Sequence, residues 1–325
     1  MKQIIILIVT IAIIAGLYIY LEKKDYPVSK TFSVNENFDK IFLSDMQEQS
    51  VILSKNKNGK WVLNNSENIR PDAIKILINT IKKVRVKTSV PKAQRENIYK
   101  KISSENIKVE IYNKDNKLIT YYVGGPTNDY EGTYFFDDKS KDIYITHIPG
   151  FTGYLTPRYF VDKEIWKDRT IINYDKDQIS SLSIHYYNKD TTSFTLETTP
   201  LNIDVNDKKI DLNNIDLKKV NLYLNGFSKL EIEGFENNYI KKDSILNSPE
   251  FCRLTLTDKN KKHTDLKLFK MPINKRSKLQ YNKDGKALKY DLDRLFVDIN
   301  NGKDFGILQL YVFNRVLVKP EFFLK

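Results

Sequence analysis

The sequence predicts an α+β protein: two duplicated modules, each an antiparallel sheet with a packed helix, behind one N-terminal transmembrane helix. Short segments that alternate apolar and polar residues recur along the chain, separated by Asn, Asp and Gly turns, as half-buried strands require. Two segments break that alternation and space their apolar residues near 3.6, as an amphipathic helix does. The order of elements then starts again about 145 residues later, a period suited to duplication of a whole module and too long for a solenoid repeat. Segregated strands and helices in this order point to α+β architecture.

The first element is "IIILIVTIAIIAGLYIYL", Ile4 to Leu21, uncharged throughout and ending at "EKKDY". About 18 residues rising 1.5 Å each span roughly 27 Å, close to the ~30 Å hydrocarbon core of a bilayer. Tyr18 and Tyr20 fall where interfacial aromatics are enriched. Lys2 ahead of the run, with Ala12, Ala15 and Gly16 inside it, also fits a cleaved signal peptide. Bulky Leu17, Tyr18 and Ile19 follow those small residues without a small-x-small site, which favours an uncleaved anchor over residues 1–24. The expected location is a cell inner membrane, crossed once, with the bulk of the chain in the periplasm.

Residues 25–162 make the first α+β module. "FDKIFLSDMQEQSVILS" holds two strands and "GKWVLNN" a third. "RPDAIKILINTIKKVRV" is the helix, with Ile74, Leu77, Ile78, Ile81 and Val84 on one face, Pro71 at its first turn and Asp72 beside it. A polar link leads to "IKVEIYN", "KLITYYVGG", "GTYFFDD" and "DIYITH", four further strands, with "GGP" at 124–126 opening a hairpin or loop.

Residues 163–325 repeat the order. "QISSLSIHYYN", "TSFTLETT" and "LNIDVNDKKIDL" match the opening strands, and "IDLKKVNLYLNGFSKL" supplies a helix offering Val220, Leu222, Leu224 and Phe227 for burial. "KVEIYNKDNK" at 108–117 and "RLTLTDKNKK" at 253–262 share a basic residue, an alternating strand and a Lys/Asp/Asn turn. "ALKYDLDRLFVDI" and "FGILQLYVFNRVLV" close the second copy as strands, with Asp304-Phe305-Gly306 read as a turn.

Composition limits the chemistry. The net charge is +12, but 53 Lys and Arg are interspersed with 41 Asp and Glu, the pattern of a solvated surface. The best basic patch is Lys275, Arg276 and Lys278, and no nucleic-acid-binding motif accompanies it, so nucleic acid is not an expected partner. Cys252 is alone and sits in an alternating segment, so it reads as a small buried hydrophobe. His147 ends a strand with no Gly-x-Ser-x-Gly elbow in the chain, and His185 and His263 complete no metal triad with it. Asp291 and Asp293 share a strand face at a spacing that suits a hard cation, although Lys289 and Arg294 beside them favour a charge-paired surface. No phosphate-binding glycine loop of the GxxxxGKS type occurs. No catalytic set, metal or cofactor is therefore expected. Twenty Tyr and seventeen Phe are a surplus whose outward rings suit stacking on sugars or on a protein partner.

The order "VILSKNKNGKWVLN", helix, "TYYVGG", "GTYFF", "YITHIPGFTGYL", "RYFVDKEIWKDRTII" and "TSFTLE" resembles domain-of-unknown-function family 4340, best known from Bacteroidetes. The resemblance covers residues 30–200 and rests on Pro149, Gly150 and Phe151, then Gly153, Trp166, Asp168 and Arg169. It implies no catalytic residues. Some members are encoded near an ABC-type transport system related to gliding motility, which implies envelope association by context.

These readings converge on a membrane-anchored extracytoplasmic interaction or accessory protein, held in the membrane through Ile4 to Leu21 and meeting an envelope protein partner. The alternatives are an envelope hydrolase of glycan or peptide, drawing on His147, Asp291 and Asp293, and a small-ligand or glycan-binding module. The segment "ITHIPGFTGYLTPRYFVDKEIWKDRTI" lies between the copies. Gly150 and Gly153 supply bends there beside the junction candidate Phe151, Pro149 and Pro157 stiffen the link, and Tyr159, Phe160 and Trp166 offer apolar faces. Asp168 and Arg169 are expected to fix the first strand of the next copy.

Overall fold

Ile41 and Leu43 are buried while Phe42 between them and Lys40 and Ser44 on either side are not, and this period-two pattern sets the architecture of the first unit. The computed structural model describes residues 31–187 and 193–325. The expected anchor, Ile4 to Leu21, lies outside the described residues, among which no helix is long and apolar enough to cross a membrane. The chain divides into two compact units between Lys167 and Asp168; the sequence-based boundary falls between 162 and 163.

The first unit runs β1 (Lys40–Asp45), β2 (Ser50–Lys55), β3 (Trp61–Leu63), β4 (Glu67–Asn68), α1 (Pro71–Lys83), β5 (Arg85–Ser89), α2 (Lys92–Ser104), β6 (Ile107–Asn113), β7 (Asn116–Pro126), β8 (Thr133–Asp137), β9 (Asp142–His147) and α3 (Lys163–Trp166). Its nine strands form one antiparallel sheet in the order β4-β3-β2-β1-β6-β7-β8-β9-β5. Helix α1 thus leaves one edge and delivers the chain to the other. It starts at Pro71, carries Asp72 in its first turn and Lys82 and Lys83 in its last, in accord with the helix dipole. It buries Ala73, Ile74, Leu77 and Ile81 against Ile41, Val109, Tyr121 and Phe135 on one sheet face.

Helix α2 occupies the stretch expected to be a polar link. Only Ile98 and Ile102 of its residues are buried, so its amphipathic signal is faint. It packs on the opposite face, against Phe136 and Ile143. Close approach there requires Gly124, since a Cβ at that position stands 2.8 Å from Ile102 Cγ1 and 3.3 Å from the Tyr134 carbonyl oxygen. The Gly-Gly-Pro run ends β7 and leads into the hairpin to β8. It lies within β7, where pairing with β8 shifts register between Val123 and Pro126 as a bulge.

The second unit comprises β10 (Thr170–Ile172), β11 (Ile179–Tyr186), β12 (Phe194–Thr198), β13 (Leu201–Val205), β14 (Lys208–Lys209), α4 (Leu217–Asn225), β15 (Leu230–Glu231), β16 (Gly234–Phe235), α5 (Lys242–Leu246), β17 (Cys252–Asp258), β18 (His263–Pro272), β19 (Tyr290–Ile299), β20 (Asp304–Gln309) and α6 (Leu310–Phe313). Its large sheet has the order β14-β13-β12-β11-β17-β18-β19-β20-β16, which matches the first sheet position for position. Helices α4 and α5 take the places of α1 and α2. The small β10-β15 sheet is an addition. Both units are mostly antiparallel sheet with helices, the expected α+β class. The repeated unit is larger than the strands and single helix read from the sequence, because short β4, β5, β14 and β16 and the second helices carry little periodicity.

Three local expectations change. Leu222 is not a core residue: at 65% exposure it lies opposite Val220, Tyr223, Leu224 and Phe227, which follow the helical i, i+3, i+4, i+7 face. Asp304-Phe305-Gly306 is the start of β20, and the turn precedes it at Asn300, Asn301 and Gly302, all with positive φ. The segment after Gln309 is helix α6, not a continuing strand.

Candidate functional site

The segment from Ile148 to Lys167 is a strap sewn onto the first unit. Gly150 and Gly153 bend it with φ of 77° and 121°, in the region that glycine alone enters cheaply. Phe151, 38% exposed, carries the Arg158 guanidinium over its ring at 4.1 Å. Arg158 donates to Thr80 Oγ1 on α1 at 3.0 Å, and burial of the guanidinium lowers its pKa from the ordinary arginine value. The Leu155 amide donates to Thr133 Oγ1 on β8 at 2.6 Å, and Thr156 Oγ1 donates to the Gly124 carbonyl on β7 at 2.7 Å. Tyr159 and Tyr121 are buried with hydroxyls 3.3 Å apart, and burial raises both phenols. Trp166, wholly buried, donates from Nε1 to the Phe160 carbonyl at 2.8 Å, with the two rings 4.1 Å apart. The Arg70 amide, just ahead of α1, donates to the Trp166 carbonyl at 2.8 Å. The burial of Tyr159, Phe160 and Trp166 is thus accounted for inside the first unit's own core.

Gly153→Val is expected to destabilise this strap by about 1–3 kcal/mol, because a β-branched residue at φ 121° is strained. Urea unfolding of the variant checks it; an unchanged midpoint contradicts the strap.

The strap walls a cleft of about 580 Å³ in the first unit, between the β7 bulge at Gly124–Pro126 and the turn from α2 into β6. Its charged lining is acidic: Asp45, Glu105 and Asp162, with no Lys or Arg among the described lining residues. Asp45 Oδ1 accepts from the Gln47 and Gln49 amides, and Asp162 caps α3 by accepting from the Glu164 amide.

The second unit has a cavity of about 570 Å³ at the same place in the repeated fold, between the turn from α5 into β17 and the end of β18. Pro272 ends β18 after a register shift beside Lys270, as Pro126 ends β7. Glu250 stands two residues before β17, as Glu105 stands two before β6, at the same 145-residue separation as Lys108 and Arg253. The lining differs in chemistry: Lys241 and Lys270 accompany Glu250, among the rings of Tyr239, Phe251 and Tyr290.

The residues picked from sequence are dispersed. His147 is half-buried on β9 opposite Arg85 of the edge strand β5, and Pro149 is exposed. Asp168 and Arg169 open the second unit, where Asp168 Oδ1 accepts from the Thr170 amide at 3.0 Å and the Arg169 carbonyl from the Ile232 amide at 3.0 Å, seating β10 beside β15. Of the basic patch, Arg276 is paired with Glu233, while Lys275 and Lys278 are exposed.

Asp291 is buried. Its oxygens accept from Ser277 Oγ at 2.7 Å, from Arg294 Nε and NH2 at 3.1 and 2.7 Å, and from the Asp293 and Arg294 amides. Burial alone would raise its pKa; the backbone, Ser277 and Arg294 contacts outweigh it and hold the carboxyl below its usual value. Among the described residues no three His, Cys, Asp or Glu are grouped to hold a metal ion. Cys252 is buried, and burial pushes its thiol far up, out of the nucleophilic range.

Glu250, Lys270 and Tyr290 went unnoticed in the sequence. The available signal was the 108–117 and 253–262 match, which sets Glu105 and Glu250 in register.

A family model described as Domain of unknown function (DUF4340) matches residues 61–249, more than half of the chain. No curated protein and no solved structure matches.

Proposed function

The chain belongs to the Domain of unknown function (DUF4340) family, and from that premise we propose that it is a membrane-anchored accessory protein of an extracytoplasmic envelope assembly, acting by contact with protein partners. The apolar run Ile4 to Leu21 supports anchorage, and the family resemblance supports an ABC-type transport or gliding-related system as the setting. The duplicated module gives such a protein two related scaffolds on which different surfaces have diverged.

The observation that carries the reading is the face of the second sheet opposite α4. Buried Leu182, Ile184, Leu196 and Leu254 alternate with Ser181, Ser183, Thr195, Glu197, Arg253 and Thr255. Ser183 and Thr255 hydroxyls pair at 2.6 Å, and Arg253 grips Asp265 through two bonds of 2.8 Å. Cross-strand pairs of this kind order the surface before a partner arrives, which lowers the entropic cost of docking.

The test is purification of the tagged full-length chain from membranes. Membrane-complex subunits should be recovered with it, and Thr195→Arg combined with Glu197→Arg should cut that recovery at least tenfold without changing thermal stability. Repeated recovery of the chain alone overturns the proposal. Fractionation with intact-mass measurement checks the anchor: the uncleaved mass should remain with membranes.

A further inference from the structure

We infer that the second-unit cavity is a binding site for an acidic glycan, a chain of pyranose rings bearing carboxylates. The inference stands apart from the proposed contact function, since it rests on the chemistry of one cavity and not on the anchor or the polar sheet face.

A volume of about 570 Å³ lies in the range of ligand pockets and accommodates more than one sugar ring. Three kinds of group line it. Tyr239, Phe251 and Tyr290 are half-buried and present aromatic surface, and Tyr239 is backed by Phe296 at 5.5 Å, itself stacked on Phe305 at 5.4 Å. Rings held by such a stack offer rigid apolar area for the C–H face of a pyranose. Lys270 is exposed, its ammonium 5.6 Å from the Phe251 ring centre and 5.3 Å from that of Tyr290, and exposed Lys241 stands at the α5 side. Glu250 supplies the third group, a carboxylate in the lining that also hydrogen-bonds Tyr187 and whose Oε2 is buried with no partner of its own.

The lining thus sets a carboxylate beside two ammonium groups and three aromatic rings. Purely anionic ligands such as phosphate satisfy the lysines and are repelled by Glu250. Aliphatic ligands cover the rings and leave Lys241 and Lys270 unmet. A uronic-acid sugar meets all three demands at once, with hydroxyls for Glu250, a carboxylate for Lys241 and Lys270, and a ring face for the tyrosines. The equivalent cleft of the first unit has only carboxylates as its charged lining and lacks the lysines, so the inference predicts one such site per chain.

The test is calorimetric titration of the detergent-solubilised full-length chain with trigalacturonate, maltotriose and citrate. Trigalacturonate should bind in the millimolar range or tighter, and at least tenfold more strongly than either control. Lys270→Met should weaken it at least fivefold, and so should Tyr290→Ala; Lys270 is exposed, so its variant keeps the fold even if the tyrosine variant does not. Glu105→Gln in the other cleft should change nothing. Absence of binding at 10 mM, equal binding of citrate, or affinity indifferent to Lys270→Met overturns the assignment.

Discussion

Trp166→Ala should lower the stability of the first unit by about 3–5 kcal/mol, the range for removing a fully buried large aromatic. Three separate contacts meet at this residue: the indole packs at a tilt against Phe160 with ring centres 4.1 Å apart, its Nε1 satisfies the Phe160 carbonyl, and its own carbonyl receives the amide of Arg70 at the entrance to α1. Truncation leaves a cavity beneath the strap and an unmet carbonyl, while the backbone bond from Arg70 survives. Trp166→Phe keeps most of the buried area and forfeits the Nε1 bond, so it should cost far less, about 1–2 kcal/mol. Urea unfolding followed by hydrogen exchange distinguishes them. In the alanine variant, amides of α1 and β7 should lose protection while those of β17 and β18 keep theirs. Uniform loss across both units, or none, removes Trp166 from its role in the first unit's core.

Much of this fold was legible because alternation reports burial directly. Strands β1, β2, β12 and β17 each show the buried and unburied sides their sequences announce, and α1 shows the apolar face its spacing requires. What escaped were elements too short or too polar to generate a period: two-residue β4 and β16, and α2 with its two buried isoleucines. Tertiary contact makes these elements. Gly124 illustrates the difference, since its neighbours in sequence suggest a turn and its neighbours in space, Ile102 and the Tyr134 carbonyl, explain its lack of a side chain.

The candidate site was harder to read for the same reason. Its lining joins α5, the ends of β17 and β18 and the start of β19, segments separated by long stretches of sequence, and no local motif marks their meeting. The Pro-Gly-Phe segment, by contrast, was conspicuous in sequence because bends, aromatics and a tryptophan crowd into a short stretch. Its contacts are those of a strap that holds α1 and β8 to the end of β7, so conspicuous residues there report stability in the first unit, and the quieter Glu250, Lys270 and Tyr290 carry the binding chemistry.

Asp291→Ala should cost the second unit about 3 kcal/mol, because it strips a buried arginine of its main partner. Removing one member of a buried ion pair generally costs about 3–5 kcal/mol, and the lower end applies here, since Glu233 remains 3.8 Å from Arg294 NH1. Asp291 is only 5% exposed and also anchors Ser277 and two backbone amides, so the loss spreads to the loop that carries the basic patch. A second variant isolates the charge: adding Arg294→Met to Asp291→Ala should recover part of the loss, since no unpaired guanidinium then stays buried. The pH dependence has a defined sign. The folded-state pKa of Asp291 is depressed, so its contribution is complete above the unfolded value near ~3.9 and disappears as pH falls through the folded value. The stability gap between the wild type and Asp291→Asn should therefore be constant near neutrality and close below about pH 4. A gap that stays open in acid, or an alanine variant within about 1 kcal/mol of wild type, contradicts a carboxylate held ionised by Ser277 and Arg294.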